Sequence, residues 1–488
     1  MNDVFKGLQP ERVWHYFAET CKVPRPSKKE TQITQYIRQV AGALSLENYM
    51  DETGNVIVKK PATPGYENRC SVVLQCHVDM VCEKNSDTYH DFDHDAIQPF
   101  IDGEWVKARG TTLGADDGIG IAVQLALMED KTVKHGPLEF LFTVDEETGL
   151  TGAYGLKPGF FESKILLNLD SEDEGELFIG CAGGKDTIIS MNYSKVPVNY
   201  DSVAFTIRVS GLKGGHSGDD INKGLGNANK IINRLLWNTA QKYETRISDL
   251  KGGNLRNAIA REAFALITLP KRFQNDFAGY VRDFNNMVKK ELKTTEPELL
   301  VSYAPAELPS YVIDLSSQER LLNALYACPH GVITMSADIP NFVDTSTNLA
   351  SVKINDKNIE ITTSQRSSSE SGKEDVVSMV ASVFRLAGAK VTHGDGYPGW
   401  TPNPDSRILE ITRKAYTDLF HSDPKVLAIH AGLECGLFGE KYTGLDMISY
   451  GPTIKGAHSP DERLLIATVL RFWDLTIEIL RNIPEKTA

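Results

Sequence analysis

Two histidines and several carboxylates, spread over most of the chain, are of the residue types that hold divalent metal ions. The candidates are His77 and Asp79 in QCHVDMV, Asp116 in TTLGADDGIG, Glu146 and Glu147 in LFTVDEETG, Asp170 in LLNLDSED, and His458 in KGAHSPDER. Each motif lies at the end of an apolar run typical of a buried strand, or in the loop that follows one. Carboxylates gathered with two imidazoles need compensating positive charge, and a pair of divalent cations is the simplest source.

The H-x-D motif places His77 and Asp79 on the same face of a strand, because side chains alternate between faces with a period of two residues. The imidazole can bind a metal ion, while the carboxylate orients the ring through its other nitrogen. The motif occurs often by chance, so it indicates a metal site only together with the other motifs.

Asp116 and the Glu146–Glu147 pair differ in how strongly they indicate a metal site. Asp116 lies in a glycine-flanked turn that opens a predicted helix, where it could bridge two metals or simply cap the helix. Glu146 and Glu147 end an apolar run, where two carboxylates repel each other unless positive charge lies between them. One of this pair could bind metal and the other could act as general base on a metal-activated water.

Each candidate taken singly could be a solvated loop acid or a hydrogen-bonded histidine. Together, nitrogen and oxygen ligands without a thiolate suit Zn²⁺, Mn²⁺ or Co²⁺ in a catalytic site. The seven cysteines include no C-x-x-C pair, which argues against a cysteine-ligated zinc site and favours a reducing compartment. We therefore expect a cytoplasmic protein.

Charge and hydropathy exclude other classes of function. The net charge is −13, from 52 basic and 65 acidic residues, and no Lys or Arg run indicates nucleic-acid binding. No stretch approaches 18 uninterrupted apolar residues, so we expect no membrane span. The first residues lack the basic and apolar regions of a secretory signal.

The alternation of strands and helices predicts an α/β catalytic domain in two parts, residues 1–186 and 395–488, with a mixed sheet covered by helices on both faces. Between them, residues 187–394 predict an inserted α+β domain of two ferredoxin-like halves, because two strand–helix–strand sets follow one another. His458 lies beyond this insertion, so the metal site requires the two terminal parts to fold together.

The ordered motifs LQCHVDMV, GADDGIG, TVDEETG, NLD and GAHSPDE resemble those of the M20 metallopeptidases, which are dinuclear zinc enzymes. The resemblance covers essentially the whole chain, and LKGGHSGDDINKG, RNAIARE and AIHAGLECGLF are most similar to the Xaa-His dipeptidases of that family. It implies cleavage of dipeptides, including Xaa-His and carnosine-like substrates, with two Zn²⁺ per chain that Mn²⁺ or Co²⁺ could replace. It also implies a homodimer through the inserted, lid-like domain.

The resemblance assigns roles residue by residue. His77 and Asp170 would bind one zinc, Glu147 and His458 the other, and Asp116 would bridge them. Asp79 would steer His77, and Glu146 would be the general base.

The same resemblance assigns roles in substrate binding to three residues of the inserted domain and to Gly432, which follows it. His216 would contribute to the oxyanion site, Asn257 and Arg366 would hold the substrate's terminal carboxylate or scissile region, and Gly432 would contact the substrate through its backbone. Without the resemblance, the simplest interpretation of His216 is a histidine that is hydrogen-bonded to its own glycine-rich turn. Arg366 could equally form a salt bridge at the surface. Guanidinium nevertheless matches a carboxylate well, because two N–H groups bind both oxygens.

Other functions stay open on the sequence. Enzymes of the same architecture remove acyl groups from amino acids or act as carboxypeptidases or aminopeptidases, and metal ligands do not separate these activities. A non-catalytic scaffold would be marked by loss of the base or of a ligand, and none is lost here. A doubled lid within one chain would also permit a monomer.

Overall fold

The computed structural model describes residues 4–486, and its N-terminal part alternates strands and helices. The elements are α1 (Glu11–Thr20), α2 (Thr31–Ala43), β1 (Glu47–Met50), β2 (Val56–Lys60), β3 (Val72–His77), β4 (Pro99–Asp102), β5 (Trp105–Ala108), α3 (Ala115–Glu129), β6 (Leu138–Thr143), α4 (Glu146–Gly149), α5 (Thr151–Gly155), β7 (Ile165–Asn168) and β8 (Glu176–Cys181).

The middle of the chain is richer in strands. Its elements are β9 (Gly183–Met191), β10 (Lys195–Pro197), β11 (Ser202–Ser210), α6 (Ala228–Tyr243), β12 (Arg246–Gly252), β13 (Ala263–Pro270), a 3₁₀ turn (Lys271–Phe273), α7 (Gln274–Glu291), β14 (Leu300–Ala306), β15 (Tyr311–Ile313), α8 (Leu315–Ala327), β16 (Gly331–Met335), β17 (Val343–Ile354), β18 (Ile359–Ser367), α9 (Glu370–Leu386) and β19 (Lys390–His393).

The C-terminal part returns to alternating helices and strands. It contains α10 (Arg407–Phe420), β20 (Lys425–Ile429), α11 (Glu434–Lys441), β21 (Asp446–Ser449), β22 (Ile454–Lys455), β23 (Arg463–Leu465) and α12 (Ile466–Asn482). Within residues 4–486, every helix is too short or too polar to cross a bilayer.

The chain forms two compact units. The first comprises the residues up to Gly180, Pro402–Ala428 and the residues from Leu433 onward, and the second comprises Cys181–Thr401 and Ile429–Gly432. The short Ile429–Gly432 stretch thus belongs to the second unit although the chain on either side of it belongs to the first.

The first unit is built on an eight-stranded sheet of order β1-β2-β6-β3-β7-β21-β8-β20. Its central strands β6, β3, β7 and β21 are parallel neighbours. Strands β3 and β6 are buried along their whole length, as expected for apolar strands covered on both faces. The carboxyl ends of parallel strands open at one edge of a sheet, which is the usual ligand-binding edge of α/β folds.

The second unit is built on one sheet of order β14-β11-β13-β12-β17-β18-β9-β19, with β16 paired to β17. The β12–β17 pairing joins the strands β14, β11, β13 and β12 to the strands β17, β18, β9 and β19. Helices α6 and α7 pack on the first set, α9 packs on the second, and α8 packs against α6 and β12. An apolar core that includes Ile207, Leu235, Phe284 and Phe384 packs the helices on the sheet. The predicted mixed α/β fold class is confirmed, while the division into ferredoxin-like halves stays a prediction.

Three element boundaries differ from what the sequence pattern predicts. Glu146 and Glu147 do not end a strand but open the four-residue helix α4. The sequence predicts a helix from about 223 to 243, whereas α6 begins at Ala228, because the Asn227 side chain caps it by accepting from two backbone N–H groups. The sequence also predicts a final helix from about 461 to 482, whereas α12 begins at Ile466, because strand β23 occupies the preceding residues.

Candidate metal centre

The sheet of the first unit places its chemical residues at the carboxyl ends of parallel strands. His77 is the last residue of β3, Glu146 and Glu147 follow β6, and Asp170 follows β7. Asp116 lies at the start of α3, at a break where its backbone and that of Asp117 are not helical. His458 follows β22 in a loop, with a positive φ of 65°.

These side chains meet around Asp116, whose two carboxylate oxygens face different histidines. His77 Nε2 lies 3.0 Å from Asp116 Oδ1 and 3.3 Å from Asp170 Oδ1. His458 Nε2 lies 3.3 Å from Asp116 Oδ2 and 3.0 Å from Glu147 Oε2. The structure thus forms two donor groups that share one carboxylate.

Glu146 joins the same cluster from the start of α4. One ligand atom from each of His77, Glu146 and Glu147 lies within 4.8 Å of the other two, as do those of the two groups that share Asp116. The imidazole of His77 is buried, whereas 55% of the His458 side chain is exposed. The centre is therefore reached by solvent on the His458 side.

Asp79 is fully buried beneath this cluster. Its Oδ1 lies 3.3 Å from His77 Nδ1, although the two atoms are not aligned as a hydrogen bond. Its carboxylate accepts hydrogen bonds from the backbone N–H groups of Glu146 (3.0 Å) and Glu147 (3.2 Å), and from Ser27 Oγ (2.7 Å). One buried acid therefore links the end of β3 to the start of α4.

The histidines in this cluster favour the charged form. Burial opposes a charged His77, but Asp170, Asp116 and Asp79 together raise its pKa well above the usual range. Hydrogen bonds to Asp116 and Glu147 raise the pKa of His458 to about 11. Burial works against ionisation of Asp116, yet the two histidines lower its pKa.

The remaining carboxylates have too little positive charge beside them to keep their pKa values in the usual range. Burial, together with Asp170 and Glu147, raises the pKa of Glu146 well above its usual range, with His77 opposing. Burial also raises the pKa of Asp170 to about 6, because His77 compensates it only in part. An excess of buried carboxylate over imidazole is a condition that divalent cations relieve.

The donor set also fits metal ions in detail. Glu147 Oε1 is buried without a hydrogen-bond partner among the described residues, so this oxygen is free to bind a cation. Imidazole nitrogens and carboxylate oxygens, with no thiolate among the grouped residues, are the ligands of catalytic zinc sites. The residues present therefore could hold two divalent cations, with Asp116 between them.

Sequence reasoning missed two residues that fix the Asp116 loop. The Glu462 carboxylate accepts hydrogen bonds from four consecutive backbone N–H groups of residues 113–116. Arg25 donates to the backbone carbonyls of Val78 (3.0 Å), Asp79 (2.7 Å) and Gly114. Glu462 lies four residues after His458 in the motif GAHSPDE. This proximity was the one feature of the sequence that could have indicated a role for Glu462.

A buried carboxyl beneath the strand ends was also missed. Glu434 Oε2 accepts from Gln75 Nε2 (2.6 Å) and Thr143 Oγ1 (2.7 Å), and Asn168 Nδ2 donates to Gln75 Oε1 (2.6 Å). Gln75, Thr143 and Asn168 belong to β3, β6 and β7, the strands whose ends lead to the metal candidates. Glu434 thereby ties three strands together just below the cluster.

The second unit brings together two of the four residues that the resemblance assigned there. Arg366, near the end of β18, is buried, and its Nη2 lies 3.5 Å from His216 Nε2. Arg366 Nη1 donates to the Tyr397 hydroxyl at 2.9 Å. Among residues 4–486, no carboxylate lies within 4.0 Å of the guanidinium, so Arg366 is not the surface salt bridge that was its alternative interpretation.

The other two residues have different surroundings. Asn257 is exposed and shares the lining of a groove of about 910 Å³ with His216. The backbone carbonyl of Asn257 accepts from Ser217 N at 2.8 Å. Gly432 lies beside Tyr397, whose ring occupies the space that a side chain at Gly432 would need. Sequence reasoning missed Tyr397, which lies in a glycine- and proline-rich loop without periodicity.

Comparison with known proteins gives a consistent result. Residues 73–482 match the model of peptidase family M20/M25/M40. The chain is 45% identical over 479 residues to the cytosol non-specific dipeptidase of Escherichia coli (strain K12), covering 98% of this chain and 99% of that protein.

Solved structures agree with this. The crystal structure of aminoacylhistidine dipeptidase from Vibrio alginolyticus superposes with a TM-score of 0.92 and 45% identity, covering 99% of both chains. A tripeptidase from Staphylococcus aureus, at 15% identity and a TM-score of 0.58 over 98% of this chain and 99% of that one, shares the fold. The resemblance found in the sequence is confirmed, and the chain belongs to peptidase family M20/M25/M40.

Proposed function

We propose that this peptidase is a dinuclear metallo-dipeptidase that cleaves dipeptides, including Xaa-His and carnosine-like substrates. The observation that carries the proposal is the pair of donor groups that share Asp116, one containing His77 and the other His458. The similarity to two proteins named as dipeptidases supports the substrate class.

The proposed ligands follow the two donor groups. His77 and Asp170 would hold one ion, Glu147 and His458 the other, and Asp116 both. Zn²⁺ suits these ligands, and Mn²⁺ or Co²⁺ could replace it. When bound, two such ions supply positive charge that polarises a peptide carbonyl and makes water acidic near neutral pH.

The acids of the chain would move the proton. Glu146 would take a proton from the attacking water as the new C–O bond forms, and would give it to the leaving amine as the C–N bond breaks. The pKa of Glu146 would fall once cations compensate the neighbouring carboxylates, which would leave it ionised and able to act as base. Asp79 would hold the His77 ring in orientation through Nδ1.

The second unit would bind the substrate. His216 would stabilise the oxyanion of the tetrahedral intermediate, and Arg366 would receive the terminal carboxylate of the substrate. Asn257 would contact the scissile region and Gly432 the substrate through its backbone. The burial of Arg366, without a carboxylate bonded to it among residues 4–486, and its proximity to His216 support these roles.

We further propose a cytoplasmic homodimer that associates through the inserted domain predicted over residues 187–394. The proposal rests on the resemblance to the Xaa-His dipeptidases, which implies association through this domain. Light scattering coupled to size exclusion would give the mass; a monomer at all concentrations would contradict the dimer.

Hydrolysis of alanyl-histidine and β-alanyl-histidine, measured as isolated, after chelation, and after addition of Zn²⁺ or Mn²⁺, tests the function. We expect cleavage that is lost on chelation and restored by metal. Absence of cleavage under every metal condition would contradict a dipeptidase and would direct the assay to N-acyl-amino acids or longer peptides.

A further inference from the structure

Arg366 has donors that no described residue uses. Its Nη1 donates to Tyr397 and its Nη2 lies 3.5 Å from His216, but its Nε is buried without a partner. The residue is 6% exposed, and no carboxylate among residues 4–486 lies within 4.0 Å of it. The Asp219 carboxylate pairs with His216 (3.2 Å) and interacts with Arg366 only from a longer distance. A buried guanidinium without a directly bonded carboxylate is costly, so this arrangement favours an anionic ligand that accepts from Nε and Nη2.

Tyr397 is held firmly beside this guanidinium. Its backbone N–H donates to Gly184 O (2.8 Å) and its carbonyl accepts from Gly184 N (3.0 Å) and from Lys373 Nζ (2.7 Å). Gly184 lies opposite Arg366 in the pairing of β9 with β18. The Tyr397 loop is therefore attached to the same strand pair that carries Arg366.

Two glycines form a slot for the Tyr397 ring. A Cβ added at Gly184 would lie 2.6 Å from the ring Cζ, and a Cβ added at Gly432 would lie 2.8 Å from Cε2. Both distances are too short for carbon atoms, so only glycine leaves room for the ring at these positions. The slot fixes the hydroxyl on the guanidinium, which limits rotation of the Arg366 side chain.

The Tyr397 hydroxyl has a hydrogen left to donate. Burial raises the pKa of the phenol, with Arg366 opposing, so the group is protonated at neutral pH. Because its oxygen accepts from Arg366 Nη1, its own O–H is free to donate to another acceptor. A carboxylate on the guanidinium would provide such an acceptor.

We propose that Tyr397 determines specificity for a free C-terminal carboxylate, by fixing the Arg366 guanidinium and donating its own hydrogen bond to the carboxylate. The inference rests on the proposed function, and it adds a residue and a selection rule to it. A substrate whose C-terminus is an amide would present neither the charge nor the second acceptor oxygen.

Tyr397→Phe removes only the hydroxyl and keeps the ring in its slot. We expect the KM for alanyl-histidine to rise about tenfold to a hundredfold, as for loss of a hydrogen bond to a charged group, with kcat within about threefold. Alanyl-histidine amide serves as a competing ligand, so its Ki is measurable whether or not it is cleaved. We expect this Ki to change less than about twofold.

Two further variants make the result specific. Gly184→Ala should displace the ring and reproduce the selective rise in KM, because the added Cβ would lie 2.6 Å from the ring. Tyr200→Phe, at a residue that is 92% exposed in the same unit, should leave both constants unchanged. An unchanged KM in Tyr397→Phe, or equal losses for acid and amide, would overturn the inference. Absence of dipeptide cleavage by the unaltered protein would instead overturn the proposed function.

Discussion

The two units leave charges of opposite sign only partly compensated. In the first, five carboxylates (Asp79, Asp116, Glu146, Glu147 and Asp170) surround two imidazoles, and burial together with this crowding raises the pKa values of Glu146 and Asp170. In the second, Arg366 is buried with no carboxylate within 4.0 Å among the described residues, and Asp219 interacts with it only from a longer distance. Each unit therefore favours a different ligand, cations in the first and an anion in the second.

The means of positioning differ as well. In the first unit, carboxylates hold backbone: Glu462 binds the Asp116 loop and Asp79 binds the start of α4. In the second, glycines at positions 184 and 432 make room for an aromatic ring that holds the guanidinium. The cation site is built from hydrogen bonds to loops, and the anion site from close packing.

The largest expected effect separates chemistry from metal binding in the first unit. Glu146→Gln should lower kcat about 10³-fold, because a general base contributes about 10² to 10⁴. Metal content, measured by mass spectrometry, should be unchanged, and Glu440→Gln at an exposed site is the control. Near-normal turnover with both metals bound would remove Glu146 from the role of base.

A change in the second unit should affect binding instead. Arg366→Lys keeps the charge but loses the planar pair of donors, so KM for dipeptides should rise about tenfold or more while metal content stays constant. Arg385→Lys, at an exposed position in α9, is the matched control. Loss of metal in Arg366→Lys would contradict the assignment of cation and anion binding to different units.

The smallest expected effect concerns stability. Burial raises the pKa of Glu434 to about 8 from 4.5, so folding favours its protonated form. The wild-type protein should therefore lose stability relative to Glu434→Gln as pH rises from about 4.5 towards 8, while the difference between the two proteins should stay constant at lower pH. Urea unfolding of the chelated proteins measures this, and a pH-independent difference would contradict a protonated Glu434.

Glu434→Ala sharpens the same experiment. It leaves Gln75 Nε2 and Thr143 Oγ1 without their acceptor, which should cost about 1–3 kcal/mol of unfolding free energy. Equal stability of the Ala and Gln variants would show that the buried hydrogen bonds do not hold the three strands.

The sequence predicted the metal candidates because each follows an apolar run. His77, Asp170 and the Glu146–Glu147 pair follow parallel strands, and parallel strands present their carboxyl ends at one edge. The fold class followed from the same alternation of strands and helices. Such local patterns can be recognised in the sequence without knowledge of the contacts between distant segments.

The supporting residues could not be predicted, because their roles depend on contacts between distant segments. Glu462 binds backbone 346 to 349 residues earlier in the chain, and Glu434 binds Gln75 across 359 residues. Tyr397 depends on two glycines that are far apart in sequence. The start of helix α4 at Glu146 was missed because no glycine or proline separates it from the apolar strand that precedes it.

Titration of the chelated protein with zinc tests the dinuclear centre most directly. Activity on alanyl-histidine and the amount of bound zinc should both saturate at about two equivalents of zinc per chain. His458→Ala should bind about one zinc per chain, because His77 and Asp170 remain as ligands. Saturation of the unaltered protein at one equivalent, or unchanged stoichiometry in His458→Ala, would contradict a dinuclear centre.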